Sequence, residues 1–240
     1  MGELNFQNVF DKVRKDSVMV HCITNYVTIN MGTLKQNIVR SMLLAGKKAN
    51  ESGHPIVFDP VGVGASKFRK DTAIKLLNEV HFSVIRGNIS EIKTLYEWSE
   101  NSYGVDAKKD DIITEDNQKK VIRMAKELAV KTKAVIVITG ETDLVTDGET
   151  VYFIKNGVPE MARITGCGCM LDGVIAGFIG ANQGNILEAT VTAVSAMGIC
   201  GEYARENAKG TGTLKVHLID AMSNIDETWM ERSNQIESRS

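Results

Sequence analysis

The sequence has no apolar run approaching the ~20 residues that a membrane-spanning helix needs, and no basic stripe interleaved with aromatics that could track a phosphate backbone. Lys and Arg number 28 against 30 Asp and Glu, a formal net charge of -2, so nucleic acid is not an expected partner. The first residues, MGELNFQNVFDKVRKDS, lack the unbroken apolar core of a secretory leader. Phe6, Val9, Phe10 and Val13 instead recur among charges at helical spacing. These absences predict a soluble, cytoplasmic protein in which thiols stay reduced. Linkers, low-complexity tracts and internal repeats are also missing. The 240 residues, 43% hydrophobic, suit one large α/β domain spanning 1–240.

Two nucleotide fingerprints are absent as well: the chain has neither G-x-x-x-x-G-K-[ST] nor G-x-G-x-x-G. Any nucleotide must be held another way. The four cysteines, Cys22, Cys167, Cys169 and Cys200, and the four histidines show no paired spacing of the kind a zinc site wants. Cys167-Gly168-Cys169 is also not the Cys-x-x-Cys of a redox motif.

What is present is alternation. Short β-branched runs at 17–24, 55–59, 82–86 and 134–139 are apolar on both faces, the pattern of buried parallel strands. Between them lie helix-period segments at 33–51, 71–80 and 116–130, and later ones at 170–181, 186–209 and 216–232. Right-handed crossovers and a sheet covered on both faces follow. LVTDGETVYFI carries Asp147-Gly148 between two strand-like runs, a hairpin signal that predicts an antiparallel edge.

In an open parallel sheet, ligands bind beyond the carboxyl ends of the strands, and four strand-end segments here have unusual chemistry. Asp59 ends PIVFD and precedes a glycine-rich turn, which makes it a candidate metal or water ligand, or a turn cap. Arg86 ends FSVIR and offers a planar guanidinium where a phosphate can sit; a plain salt bridge is the alternative. Glu91, just beyond, supplies a second carboxylate suited to Mg²⁺. Thr139-Gly140 closes AVIVIT with a hydroxyl able to meet nucleotide phosphates. Finally, Thr165-Gly166-Cys167-Gly168-Cys169 runs into a helix, where free backbone N–H groups and the helix dipole make an anion site.

In order along the chain, VHCITNYVT, INMGTL, DPVGVGASKFR, IRGNISEI, ITGETD, Asn156-Gly157 and TGCGC resemble the hydroxyethylthiazole kinase family of the ribokinase-like superfamily. The resemblance implies a three-layer α/β fold and ATP- and Mg²⁺-dependent phosphorylation of a thiazole alcohol, a salvage step toward thiamine. It implies that Arg86 and Thr139 contact ATP phosphates, and that Asp59 and Glu91 hold Mg²⁺. It puts Gly166 and Asn25 on the substrate side, and Cys167, Gly168 and Cys169 in the anion hole. Cys169 stands where most ribokinase-like kinases have an aspartate base. A helix N-terminus lowers thiol pKa values, which would let Cys169 accept a proton late; the alternative is that Cys169 only shapes the hole. Asp172 is a second carboxylate, expected a turn away from the hole. Related readings are another small-alcohol kinase of the superfamily, or a catalytically impaired nucleotide-binding homologue.

The chain departs from the family at one place. There, VHCITNYVT is followed by a helix, a strand and a substrate loop before INMGTL begins; here Thr28 is followed directly by Ile29. A piece on the order of 30 residues, about one βαβ unit, is absent. It would contribute to the thiazole pocket and to the homotrimer that the resemblance implies. YVTIN has the β-branched pattern to continue the first strand or to begin the next, but not both.

Overall fold

The computed structural model describes residues 4–15, 28–99 and 117–239. The strand expected at 17–24 and the substrate-side Asn25 lie outside the described residues. Helix α1, Phe6–Lys15, buries Phe6, Val9 and Phe10, three of the residues whose spacing predicted it. Strand β1, Thr28–Asn30, runs through the Thr28-Ile29 junction and begins a run of parallel crossovers. The run continues through α2 (Gln36–Glu51), β2 (Val57–Asp59), α3 (Lys67–Glu79) and β3 (Val84–Asn88). Helices α4 (Ile89–Ser99) and α5 (Gln118–Thr132) then lead to β4, Val135–Thr139.

Each of these strands lies parallel to the one before it, in sequence order across the sheet. Right-handed crossovers that always advance in one direction place all their helices on one face. Packing agrees: Ile29, Phe58, Ile85 and Ile136 meet Met42, Leu76, Ile92 and Leu128 from α2 to α5 in one apolar core. Strand alternation sends Val57, Val84, Val135 and Val137 to the opposite face. There they pack on α1 and on the late helices α6 (Cys167–Ala181), α7 (Ile186–Asn207), α8 (Thr211–Asn224) and α9 (Glu227–Ser233). The three layers are those expected from the sequence.

The Asp147-Gly148 hairpin is present between β5, Asp143–Thr146, and β6, Val151–Ile154. Gly148 adopts φ 103°, a left-handed conformation that disfavours any side chain, and a Cβ there would stand 2.8 Å from Val130. The hairpin is antiparallel to β4, but it is not the last strand. Ile236–Arg239 forms β7, antiparallel to β6, within a tail whose charges give no strand signal. Two helical boundaries also differ from the periodicity. IRGNISEI is read above as a strand-end loop, whereas α4 begins at Ile89, capped by Asn88. The segment 216–232 divides into α8 and α9 because Asp226 accepts from the Trp229 amide at 2.8 Å and starts a new helix. Among the described residues, no helix is long and apolar enough to cross a membrane.

Candidate functional site

Register and alternation together build the site. Thr28 lies beside Val57 and Val57 beside Val84, so these residues form a buried row across three parallel strands. Two residues further, on the same face, stand Asn30, Asp59 and Arg86. A polar row therefore lies just above one that is apolar except for Thr28, at the carboxyl ends of the strands. Thr139 ends β4 beside Asn88, one step further out.

Helix α6 covers this row. Asp172, Ile175 and Ile179 recur along its buried face, so Asp172 occupies a core position over the polar row rather than one facing water. Cys169, three residues earlier, lies one turn nearer the rim on that face. The helix begins at Gly166, whose φ of 84° is left-handed. The Cys167 amide bonds to Ile164 O at 3.1 Å, and the Met170 amide to Gly166 O at 2.9 Å. The amides of Gly168 and Cys169 between them, and that of Gly166 before them, have no acceptor among the described residues, so the anion site expected from the glycines keeps these N–H groups and loses that of Cys167.

Arg86 joins everything beneath. Its Nε donates to Asp172 Oδ1 at 2.8 Å, and Nη2 donates to Asp172 Oδ2 at 2.8 Å and to Asp59 Oδ2 at 2.6 Å. Asn30 Nδ2 donates to Asp59 Oδ2 at 2.6 Å, reaches Cys169 Sγ at 3.3 Å, and stands 3.5 Å from Asp172 Oδ2. Of the sequence alternatives for Arg86, the ion pair is present, with two carboxylates. Burial opposes its charge, but Asp172 and Asp59 outweigh that, so Arg86 holds its proton more tightly than a free guanidinium.

Asp59 bears the cost. Burial pushes its carboxyl up to about 9; Arg86 pulls it back, and Asp172 pushes it further up. Its Oδ1 is buried with no partner among the described residues. That orphan oxygen fits a cation ligand or a proton carrier. One ligand atom each from Asp59, Cys169 and Asp172 lies within 4.8 Å of the others. Arg86 already engages both oxygens of Asp172 and Oδ2 of Asp59.

Glu91 stands apart from that group. Its Oε1 accepts from the Gly62 amide at 2.8 Å and its Oε2 from the Asn88 amide at 2.9 Å, while Asn88 Oδ1 accepts from the Glu91 amide. This is a reciprocal helix cap that also holds the glycine turn after Asp59. Thr139 is half-buried, with its hydroxyl 3.4 Å from Gly87 O. Beside it Asp143, the last residue of ITGETD and without a role in the sequence analysis, accepts from the Gly140 amide at 2.8 Å. Burial pushes the Asp143 carboxyl up to about 7, against the Gly140 bond and Arg86.

The Cys169 thiol departs from expectation. Burial, then Asp59 and Asp172, raise its pKa, and Arg86 and the Asn30 bond only partly offset them. Burial first, and then the two carboxylates beneath the helix start, act against the lowering that was expected. Cys167, Cys169 and Cys200 are free thiols. Asn30 and Asp172 are the site residues that the sequence reading left without a role. Asp172 carried one signal, a carboxylate three residues before Ile175 on an otherwise apolar stripe.

The hydroxyethylthiazole kinase family model matches residues 23–228. A hydroxyethylthiazole kinase of Clostridium acetobutylicum is 41% identical over 266 aligned positions, covering 95% of this chain and 97% of that protein. That alignment is longer than the chain itself, so the relative carries residues that this chain lacks. The hydroxyethylthiazole kinase of Clostridium tetani is 46% identical, covering 91% of this chain and 79% of its own. Among solved structures, a hydroxyethylthiazole kinase protein from Pyrococcus horikoshii superposes with a TM-score of 0.78 at 28% identity, covering 99% of this chain and 83% of that one. Staphylococcus aureus pyridoxal kinase, in complex with AMP-PCP and pyridoxal, shares the fold at a TM-score of 0.53 and 18% identity, covering 87% of this chain and 70% of its own.

Proposed function

The chain belongs to the hydroxyethylthiazole kinase family, and from that premise we propose that it transfers a phosphoryl group from ATP to the primary alcohol of 4-methyl-5-(2-hydroxyethyl)thiazole, a salvage step toward thiamine. The observation that carries the reading is the buried Asn30–Asp59–Arg86–Asp172 network lying directly under the open Gly168 and Cys169 amides. Phosphoryl transfer passes through a loose transition state in most analyses, so positioning and charge neutralisation supply most of the catalysis. A fixed guanidinium beside two preorganised N–H donors is suited to that task.

In this reading Arg86 and Thr139 face the ATP phosphates, and Gly166 and Asn25 face the alcohol. Cys169 sits where the alcohol proton leaves. Its raised pKa keeps the thiol protonated at neutral pH, so in this reading only the minor thiolate form takes that proton. Asp59 has the free oxygen a divalent cation needs, whereas both Glu91 oxygens are engaged by backbone amides. Asp59, with Glu91 through water, would hold Mg²⁺, which would supply charge neutralisation at the phosphates.

A second reading has its own observation. The Thr28-Ile29 junction removes a segment that the resemblance assigns to the thiazole pocket, which favours a nucleotide-binding homologue with weakened turnover. Phosphorylation of the thiazole alcohol by ATP, followed as product mass, tests the main reading; no turnover at saturating substrates would sink it. Thermal stabilisation by ATP with no effect of the thiazole would then support the second.

A further inference from the structure

We infer that Asp172 is a positioning residue for nucleotide phosphate: it locks the Arg86 guanidinium so that Nη1 is presented beneath the open N-terminal amides of α6. The inference rests on the kinase reading and adds a residue with no role in it.

Arginine has five N–H donors in a rigid plane. Asp172 takes Nε with one oxygen and Nη2 with the other, both at 2.8 Å, which fixes the plane in two places. Asp59 touches Nη2 alone, with a single oxygen, and cannot fix it. The arm left over is Nη1, which makes no hydrogen bond among the described residues. It points up toward Gly168: a Cβ on that glycine would stand 3.0 Å from Nη1 and 3.2 Å from Nη2. Glycine at 168 therefore lets the guanidinium approach the helix start, where the Gly168 and Cys169 amides are open. Asp172 belongs to the same helix as those amides. One rigid element thus carries both the anion donors and the carboxylate that aims the arginine at them, the kind of support that keeps a site within its productive geometry.

The test is a double-mutant cycle on the full chain: wild type, Asp172→Asn, Arg86→Lys and the pair, each with KM for ATP, KM for the thiazole alcohol, kcat and melting temperature. Asp172→Asn should raise the KM for ATP about tenfold, as expected for losing a bond between charged groups, and leave the thiazole KM within about twofold. With Arg86→Lys already present, Asp172→Asn should change the ATP KM by less than about twofold, because it acts through Arg86. Multiplying effects, or a lower melting temperature with an unchanged ATP KM, would overturn the inference. Should Asp172→Asn not fold, Gly168→Ala crowds the same Nη1 from the open side. It should raise the ATP KM, and an unchanged value defeats the proposal. If wild type shows no turnover, the kinase reading fails by itself, and ADP affinity measured across the same variants decides the role of Asp172 separately.

Discussion

Asn30 Nδ2 lies 2.6 Å from Asp59 Oδ2, so the strand that contains the Thr28-Ile29 junction is tied directly into the acidic centre of the site. Asn30 Oδ1 also accepts from the Gly32 amide at 2.7 Å, which turns the chain out of β1. Arg69 reinforces that turn from α3, donating to Met31 O at 2.7 Å, Val61 O at 2.8 Å and Gly32 O at 3.1 Å. The loops after β1 and β2 are therefore held as a unit. None of these contacts uses the absent family segment.

Asn30→Leu should be costly for that reason. It removes a bond to a charged group and leaves the Gly32 amide without its acceptor, a loss of about 1.5–3 kcal/mol. Urea unfolding should show a lower midpoint with an unchanged slope, and kcat should fall by at least an order of magnitude. An unchanged midpoint would mean that Asn30 is a bystander.

Asp59 sets a pH dependence. Its folded pKa is raised well above 3.8, chiefly by burial, so the fold favours the protonated form. That stabilisation is complete below the unfolded pKa and is lost as pH rises through the folded value, about 9. Without divalent cation, the melting temperature should therefore decline between about pH 5 and pH 9. Asp59→Asn should flatten the decline and abolish turnover. Mg²⁺ with ATP should stabilise wild type more at pH 8 than at pH 5, and the variant equally at both; equal Mg²⁺ effects on the two proteins would remove Asp59 from the metal site.

Cys169 should react as a protected thiol. Burial and the carboxylates of Asp59 and Asp172 hold it above an ordinary cysteine, so residue-resolved alkylation by iodoacetamide should be slower at pH 8 than for a free thiol. Asp172→Asn removes one of those carboxylates and should accelerate it. Cys169→Ala should lower kcat more than ATP affinity, while Cys169→Asp should retain turnover if the position serves as proton acceptor. Complete inactivity of Cys169→Asp would assign it the shaping of the hole instead.

Glu91 should show a role in the metal-free protein. Its two oxygens hold the Gly62 and Asn88 amides, so Glu91→Ala should destabilise by about 1–2 kcal/mol through the lost cap. Chemical unfolding in chelator measures this directly. A loss seen only with Mg²⁺ present would make Glu91 a metal residue without a structural share.

Strands β2 to β4, helices α2, α3 and α5 to α7, and the Gly148 hairpin were legible because their apolar periods are long and their turn chemistry is local. The boundary at Ile225 and the strand at Ile236–Arg239 were not. The first depends on a cap inside an unbroken helical period. The second is an exposed edge strand whose alternate residues face water, and it exists because β6 offers it a free ladder.

At the site the division is similar. The sequence by itself determined which residue types end each strand, Asp59, Arg86 and Thr139, and that glycines open the helix after Thr165, because these are matters of local order and backbone freedom. Only the tertiary structure decided their partners. Strand register set Asn30 beside Asp59, and helix packing lowered Asp172 onto Arg86. Two carboxylates then faced one buried guanidinium, and the Cys169 pKa turned upward. Charge balance in a dry interior depends on distances between residues far apart in the chain, and those are set by the fold.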